Sequence, residues 1–176
     1  IRYLKAYAVE HIDSDIEILE FTINNYIDEI LSAIYDKKPD VIGFSCYIWN
    51  IEMIKKLVDL VKIVLPKTKI FLGGPEVSYN SEEIFRSCKT DYILLGEGEV
   101  SFTDLISNLQ NGTPSIEEIK GISYFDKDKL IVRYNTNALD LSEIPFPYTD
   151  FNELDNRIIY YEASRGCPFS CQYCLS

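Results

Sequence analysis

Three cysteines stand within the last ten residues, Cys167, Cys171 and Cys174, in the pattern C-x3-C-x2-C. Thiolates are soft ligands that suit iron–sulfur clusters and zinc. Three of them held together can ligate three irons of a four-iron cluster and leave the fourth open to a substrate or cofactor. A tetrahedral zinc site is the competing reading, and it wants a fourth cysteine or histidine at recognisable spacing; none follows Cys174. The one histidine, His11, lies at the far end of the chain, and Cys88 serves only if the fold brings it across. Cys46 and Cys88 each stand alone in apolar or amphipathic surroundings, a distribution that favours a metal site in a reducing compartment over a disulfide framework.

The rest of the chain must position that cluster. Its 176 residues allow one well-packed domain with a tail, and 47% apolar against 26% charged residues, interleaved, is the profile of a globular protein able to form a core. The net charge of -11 comes without a basic patch, which argues against nucleic acid as a partner. No apolar run approaches the roughly 20 residues that span a bilayer, and no signal segment opens the sequence, so no membrane association and a cytoplasmic location are expected.

Strand and helix patterns alternate. "IRYLKAYAVE" reads as a helix under way with no capping residue before it, from which a natural start further upstream is expected. "IEILEFTI" (residues 16–23) alternates apolar and polar residues and predicts a strand. "NNYIDEILSAIYDKKPD" predicts a helix ended by Pro39, and "DVIGFSCY" a strand buried on both faces. "IEMIKKLVDLVKIVLP" predicts a helix stopping at Pro66, and "KIFLGGP" a strand and turn. "SEEIFRSC" predicts a short helix capped by Ser81, "DYILLGEGE" a strand with a glycine loop, and "SFTDLISNLQNG" a helix closed by Gly112. Such alternation implies a parallel sheet with helices on both faces, a Rossmann-like or flavodoxin-like three-layer α/β sandwich. "GISYFDKDKLIVRYN" then predicts a β-hairpin outside that rhythm, "LSEIPFPY" an extended connector, and "RIIYYEASRG" a new strand leading into the cysteines. The expected organisation is an α/β domain with its hairpin over residues 1–138, a linker over 139–157 and the start of a second domain over 158–176.

"CPFSCQYC", with "YYEASRG" before it, resembles the cysteine motif and first barrel strand of radical S-adenosylmethionine (SAM) enzymes. The resemblance implies that Cys167, Cys171 and Cys174 ligate a [4Fe-4S] cluster, that SAM chelates the open iron, and that Tyr173 lies beside its adenine. It also implies reductive cleavage of SAM to a hydrogen-abstracting radical, with electrons from a donor such as a flavodoxin or ferredoxin. The chain is then expected to be the amino-terminal portion of a larger enzyme, its barrel truncated and inactive alone.

An α/β domain ahead of that motif resembles the cobalamin-binding domain of the B12-dependent radical SAM class, including members from anaerobic bacteria. "GFSCYIWN", "FLGGPEVS" and "DYILLGEGEVSF" carry the likeness, each where a strand gives way to a loop, the place where open parallel sheets bind ligands. Candidate cobalamin contacts are Ser45, Cys46, Tyr47, Gly73, Gly74, Pro75, Gly96, Glu97, Gly98 and Glu99. Gly73 and Gly74 let the backbone approach a bulky corrin, and Gly96 and Gly98 permit turns closed to other residues. Trp49, with Tyr47, is a packing anchor that could border the corrin. The D-x-H-x-x-G signature of proteins that bind cobalamin through histidine is missing, so cobalamin without a histidine ligand is expected and His11 reads as a helix-end surface residue. The implied function is a methyltransferase or the catalyst of a radical rearrangement. Two alternatives stay open: an α/β domain that recognises a substrate or partner protein, or a non-catalytic flavodoxin-like module with a zinc-binding tail.

Overall fold

Alternate residues of a strand face opposite sides of a sheet, and the central strands here are apolar at nearly every position. In β2 (Lys69–Gly73), Ile70 and Leu72 enter one core while Phe71 enters the other. In β3 (Tyr92–Leu94), Ile93 points with Leu72 and Leu94 with Phe71. A computed structural model describes residues 1–135, 139–148, 154, 158–166, 169, 171 and 172. Within them β1 (Val41–Ser45), β2 and β3 pair in parallel, so each needs a helical crossover to return the chain.

Helices cover both faces of the sheet, and the two crossover helices, α3 (Ile51–Val64) and α4 (Ser81–Ser87), lie on the same one. With α2 (Ile27–Lys37) they cover it through Ile30, Ile34, Leu57, Val58, Val61 and Ile84. Helices α1 (Arg2–Val9) and α5 (Glu99–Asn111) cover the other through Ala8, Phe102, Leu105 and Ile106. Gly43 of β1 stands opposite Phe71 of β2, and the phenyl ring lies over it: a β-carbon there would meet the ring at 2.0 Å. As expected, α1 begins at Ile1 without a side-chain cap and α5 closes at Gly112.

Five expectations differ from the structure. Residues 16–23 join no ladder, because no described strand lies alongside to accept their hydrogen bonds, and Ile23 already lies in a turn; Arg2–Glu20 (2.9 Å) and Lys37–Glu17 ion pairs hold the segment instead. The hairpin, β4 (Ile122–Asp126) and β5 (Lys129–Arg133) around Lys127 and Asp128, does form, yet it extends the sheet antiparallel beyond β3 and makes it mixed, in the order β1-β2-β3-β4-β5. Asn80, not Ser81, is the N-cap of α4; Ser81 is its first helical residue and is buried. The connector is packed: a 3-10 turn (Leu141–Glu143) leads to buried Ile144 and Tyr148, and Arg2 lies over the Tyr148 ring at 5.7 Å. Residues 158–166 form no strand, and the proposed first barrel strand gains no support from them.

Leu72 is wholly enclosed, so Leu72→Ala removes buried methyls and leaves a cavity. It is expected to cost about 2–5 kcal/mol in denaturant unfolding, while Ile63→Ala on the exposed side of α3 should stay within about 0.5 kcal/mol.

Candidate functional site

Parallel strands all end at the same edge of a sheet. The loops after β1, β2 and β3 therefore meet there, and hydrogen bonds lock them into one crest. Cys46 N–H donates to the Gly73 carbonyl (2.7 Å) and Glu76 N–H to the Cys46 carbonyl (3.4 Å), joining the first loop to the second. Ser78 Oγ donates to the Gly74 carbonyl (2.9 Å) and accepts from Gly96 N–H (3.3 Å), joining the second to the third. Gly74 sits at φ +109°, and a β-carbon would lie 2.6 Å from the Cys46 carbonyl oxygen, so both conformation and space demand glycine.

Asn50 shapes the first loop by accepting from Tyr47 N–H (2.8 Å) and donating to the Ser45 carbonyl (2.9 Å). The loop then presents Tyr47 and Trp49 stacked at 4.7 Å, beside Ile48, with Trp49 64% and Ile48 76% exposed. Tyr79 is exposed on the second loop. Large apolar groups held out of the core on a braced loop offer a surface for a flat, partly apolar ligand, and the surrounding loop backbone offers polar groups for its rim.

All ten candidate contacts fall on this edge, but not all reach it with a side chain. Cys46 is fully buried, backbone included, with its Sγ 3.6 Å from the Phe44 carbonyl, so it braces the crest and offers no surface to a ligand. Burial pushes its thiol up to about 12. Of the glycines, Gly74 and Gly96 adopt positive φ, whereas Gly73 and Gly98 do not; Gly98 has φ -97° and faces Leu4 of α1, so its turn is open to other residues on conformational grounds.

Glu99, the first residue of α5, is only 3% exposed because Arg165 grips it with a two-pronged contact: Nη1 to Oε2 at 3.1 Å and Nη2 to Oε1 at 2.5 Å. The same guanidinium reaches Glu97 (3.5 Å) and donates from Nε to Glu162 (2.9 Å). Burial opposes the Arg165 charge, but the bonds to Glu99 and Glu162 hold its pKa above the ordinary value. Arg165 was not among the candidates: it stands 66 residues from Glu99, and only its position in "SRGC" marked it.

His11 is exposed beyond the end of α1, stacked on Tyr7 at 4.1 Å. The start of α1 lies against Gly98, while Asp13 and Ser14 are bonded by Gln110 at the far end of α5, so His11 is at the sheet edge remote from the crest. A cleft of about 300 Å³ lined in part by Asp59, Cys88 and Phe125 also opens on that remote side, before β3 begins. Cys171 is exposed, while Cys167, Tyr173 and Cys174 lie outside the described residues. Among the described residues no group of three His, Cys, Asp or Glu side chains could hold a metal ion. None of their helices is long and apolar enough to cross a membrane.

The B12 binding domain family model matches residues 1–106. The chain is 29% identical over 150 residues to the cobalamin-dependent radical SAM methyltransferase TokK of Streptomyces tokunonensis, covering 78% of this chain and 22% of that protein. It is 30% identical over 168 residues to the 2-(S-pantetheinyl)-carbapenam-3-carboxylate methyltransferase of Streptantibioticus cattleyicolor, covering 84% of this chain and 23% of that one. The structure of the cobalamin-dependent S-adenosylmethionine radical enzyme OxsB with aqua-cobalamin and S-adenosylmethionine bound shares the fold, at TM-score 0.72 and 23% identity over 82% of this chain and 20% of that chain. The chain thus spans less than a quarter of the length of these two methyltransferases.

Cys46 is expected to resist a thiol reagent in the folded chain at about pH 8 and to react only on unfolding. Its raised pKa favours the neutral thiol in the fold, so its contribution to stability is full below about 9 and lost as pH rises toward about 12. Denaturant midpoints across that range should fall in the wild type and fall less in Cys46→Ala.

Proposed function

Since this chain belongs to the B12 binding domain family, we propose that the crest holds cobalamin within a larger radical SAM enzyme. The observation that carries the proposal is the braced first loop, which holds Tyr47, Ile48 and Trp49 out of the core at the edge where three parallel strands end. A corrin is a broad disc with an apolar face and amides round its rim, and this surface matches both. Gly96, where nothing lies within 4 Å of the position of a β-carbon, keeps a side chain away from the approaching rim, and Pro75 of the second loop is exposed.

The donor set fits a cobalamin bound without a protein imidazole. The chain has one histidine, and it stands at the opposite edge of the sheet from the crest. The loops therefore bind by surface and backbone, and no side chain of theirs is a nitrogen ligand for cobalt. Cys167, Cys171 and Cys174 would hold the [4Fe-4S] cluster, with SAM at its open iron and Tyr173 beside the adenine. When bound, these groups supply a carrier for a methyl group and a radical that abstracts hydrogen, and the residues of the chain bind and orient them. Methyl transfer is the reaction favoured, by likeness to two relatives named as methyltransferases. Its substrate, like an electron donor such as a flavodoxin or ferredoxin, belongs to the whole protein.

The test is anaerobic reconstitution with hydroxocobalamin, desalting and a visible spectrum, on this chain and on the full-length protein. About one corrin per protein is expected to stay, in His11→Ala as in the wild type, with retention weakened roughly tenfold in Trp49→Ala. Complete loss from the full-length protein, or loss specific to His11→Ala, would overturn the proposal.

A further inference from the structure

Arg165 stands two residues before Cys167, yet its side chain is only 13% exposed and faces away into the α/β domain. Three carboxylates meet it: Glu99 through both oxygens, Glu97, and Glu162 on its own segment. A buried guanidinium in a two-pronged contact is fixed in angle as well as distance, which a single ammonium contact is not. Neighbouring contacts run the same way. Tyr148 OH donates to the Tyr160 carbonyl (2.7 Å) and accepts from Tyr160 N–H (3.0 Å), and Tyr3 OH of α1 accepts from Glu162 N–H (3.1 Å). Leu139 N–H donates to Glu97 Oε2 (3.2 Å), so the connector is tied to the same loop. A segment without a strand ladder is thus held to α1, the connector and the third crest loop by hydrogen bonds and ion pairs in which a side chain takes part.

We infer that Arg165 is a positioning residue, a clasp that seats the run leading into Cys167 on the loop after β3 and so fixes the cysteine segment relative to the crest. The clasp itself rests on the geometry; its consequence, that it orients a cluster against a cobalamin, rests on the function proposed above. Glu99 is then not a ligand contact but the anchor of the joint, with Glu97 closing the other side of the guanidinium.

Hydrogen exchange on the full-length protein separates the two. In Arg165→Gln the amides of Tyr160 and Glu162 are expected to exchange at least about tenfold faster, with those of Ile70–Gly73 unchanged. Arg165→Lys, which keeps the charge and loses the fork, should fall between, and the exchanged pair Glu99→Arg with Arg165→Glu should restore much of the protection. A second readout tests positioning: in protein carrying cobalt(II) cobalamin and a reduced cluster, the spin–spin coupling between the two should be well defined in the wild type and broadened in Arg165→Gln. Exchange in Arg165→Gln and Arg165→Lys within about twofold of wild type would overturn the clasp, and unchanged coupling would overturn its positioning role. Corrin lost from the wild type while the exchange result holds would instead overturn the cobalamin reading and leave the clasp standing.

Discussion

Parallel pairing of β1, β2 and β3 is the constraint on which the site depends. Parallel neighbours cannot be joined by a tight turn, so each strand must hand its chain to a helix, and every handover falls at the same edge. The loops after Ser45, Gly73 and Leu94 therefore converge whatever their sequences. What the sequence adds is the bracing: Asn50, Gly74 and Ser78 turn three adjacent loops into one hydrogen-bonded surface. With the three loops braced against one another, large apolar side chains such as Trp49 can be held outward without loosening the core beneath.

The second constraint is electrostatic. Burying Glu99 at the start of α5 is tolerable only with a partner, and removing one member of such a pair typically costs about 3–5 kcal/mol. Arg165 comes from a part of the chain with no sheet bonds, so the α/β domain obtains a counter-ion and the segment before the cysteines obtains a seat from one contact. The crest and the segment that carries Arg165 are in this sense parts of one arrangement.

Much of this was legible in the residues because its signals are local. Runs such as "KIFLG", with apolar side chains on both faces, and the helical spacing of Ile54, Leu57, Val58 and Val61 each fix an element within a few residues. Glycines at strand ends pointed to the crest. What escaped depends on partners distant in sequence. Alternation at residues 16–23 could not say whether a neighbouring strand exists, and the hairpin's own pattern could not say that β4 would pair with β3. Side-chain direction escaped too: Cys46 and Glu99 follow strand ends that looked like ligand contacts, and one faces the core while the other is taken by Arg165.

The central claim is that cobalamin binds on the crest and not elsewhere on the domain. Hydrogen exchange on the full-length protein, with and without hydroxocobalamin, tests it most directly. Slowed exchange is expected at residues 45–50, 73–79 and 95–99 and nowhere else on the domain. Protection at the opposite edge, around Cys88 and Phe125 or at His11, with the crest unchanged, would contradict it.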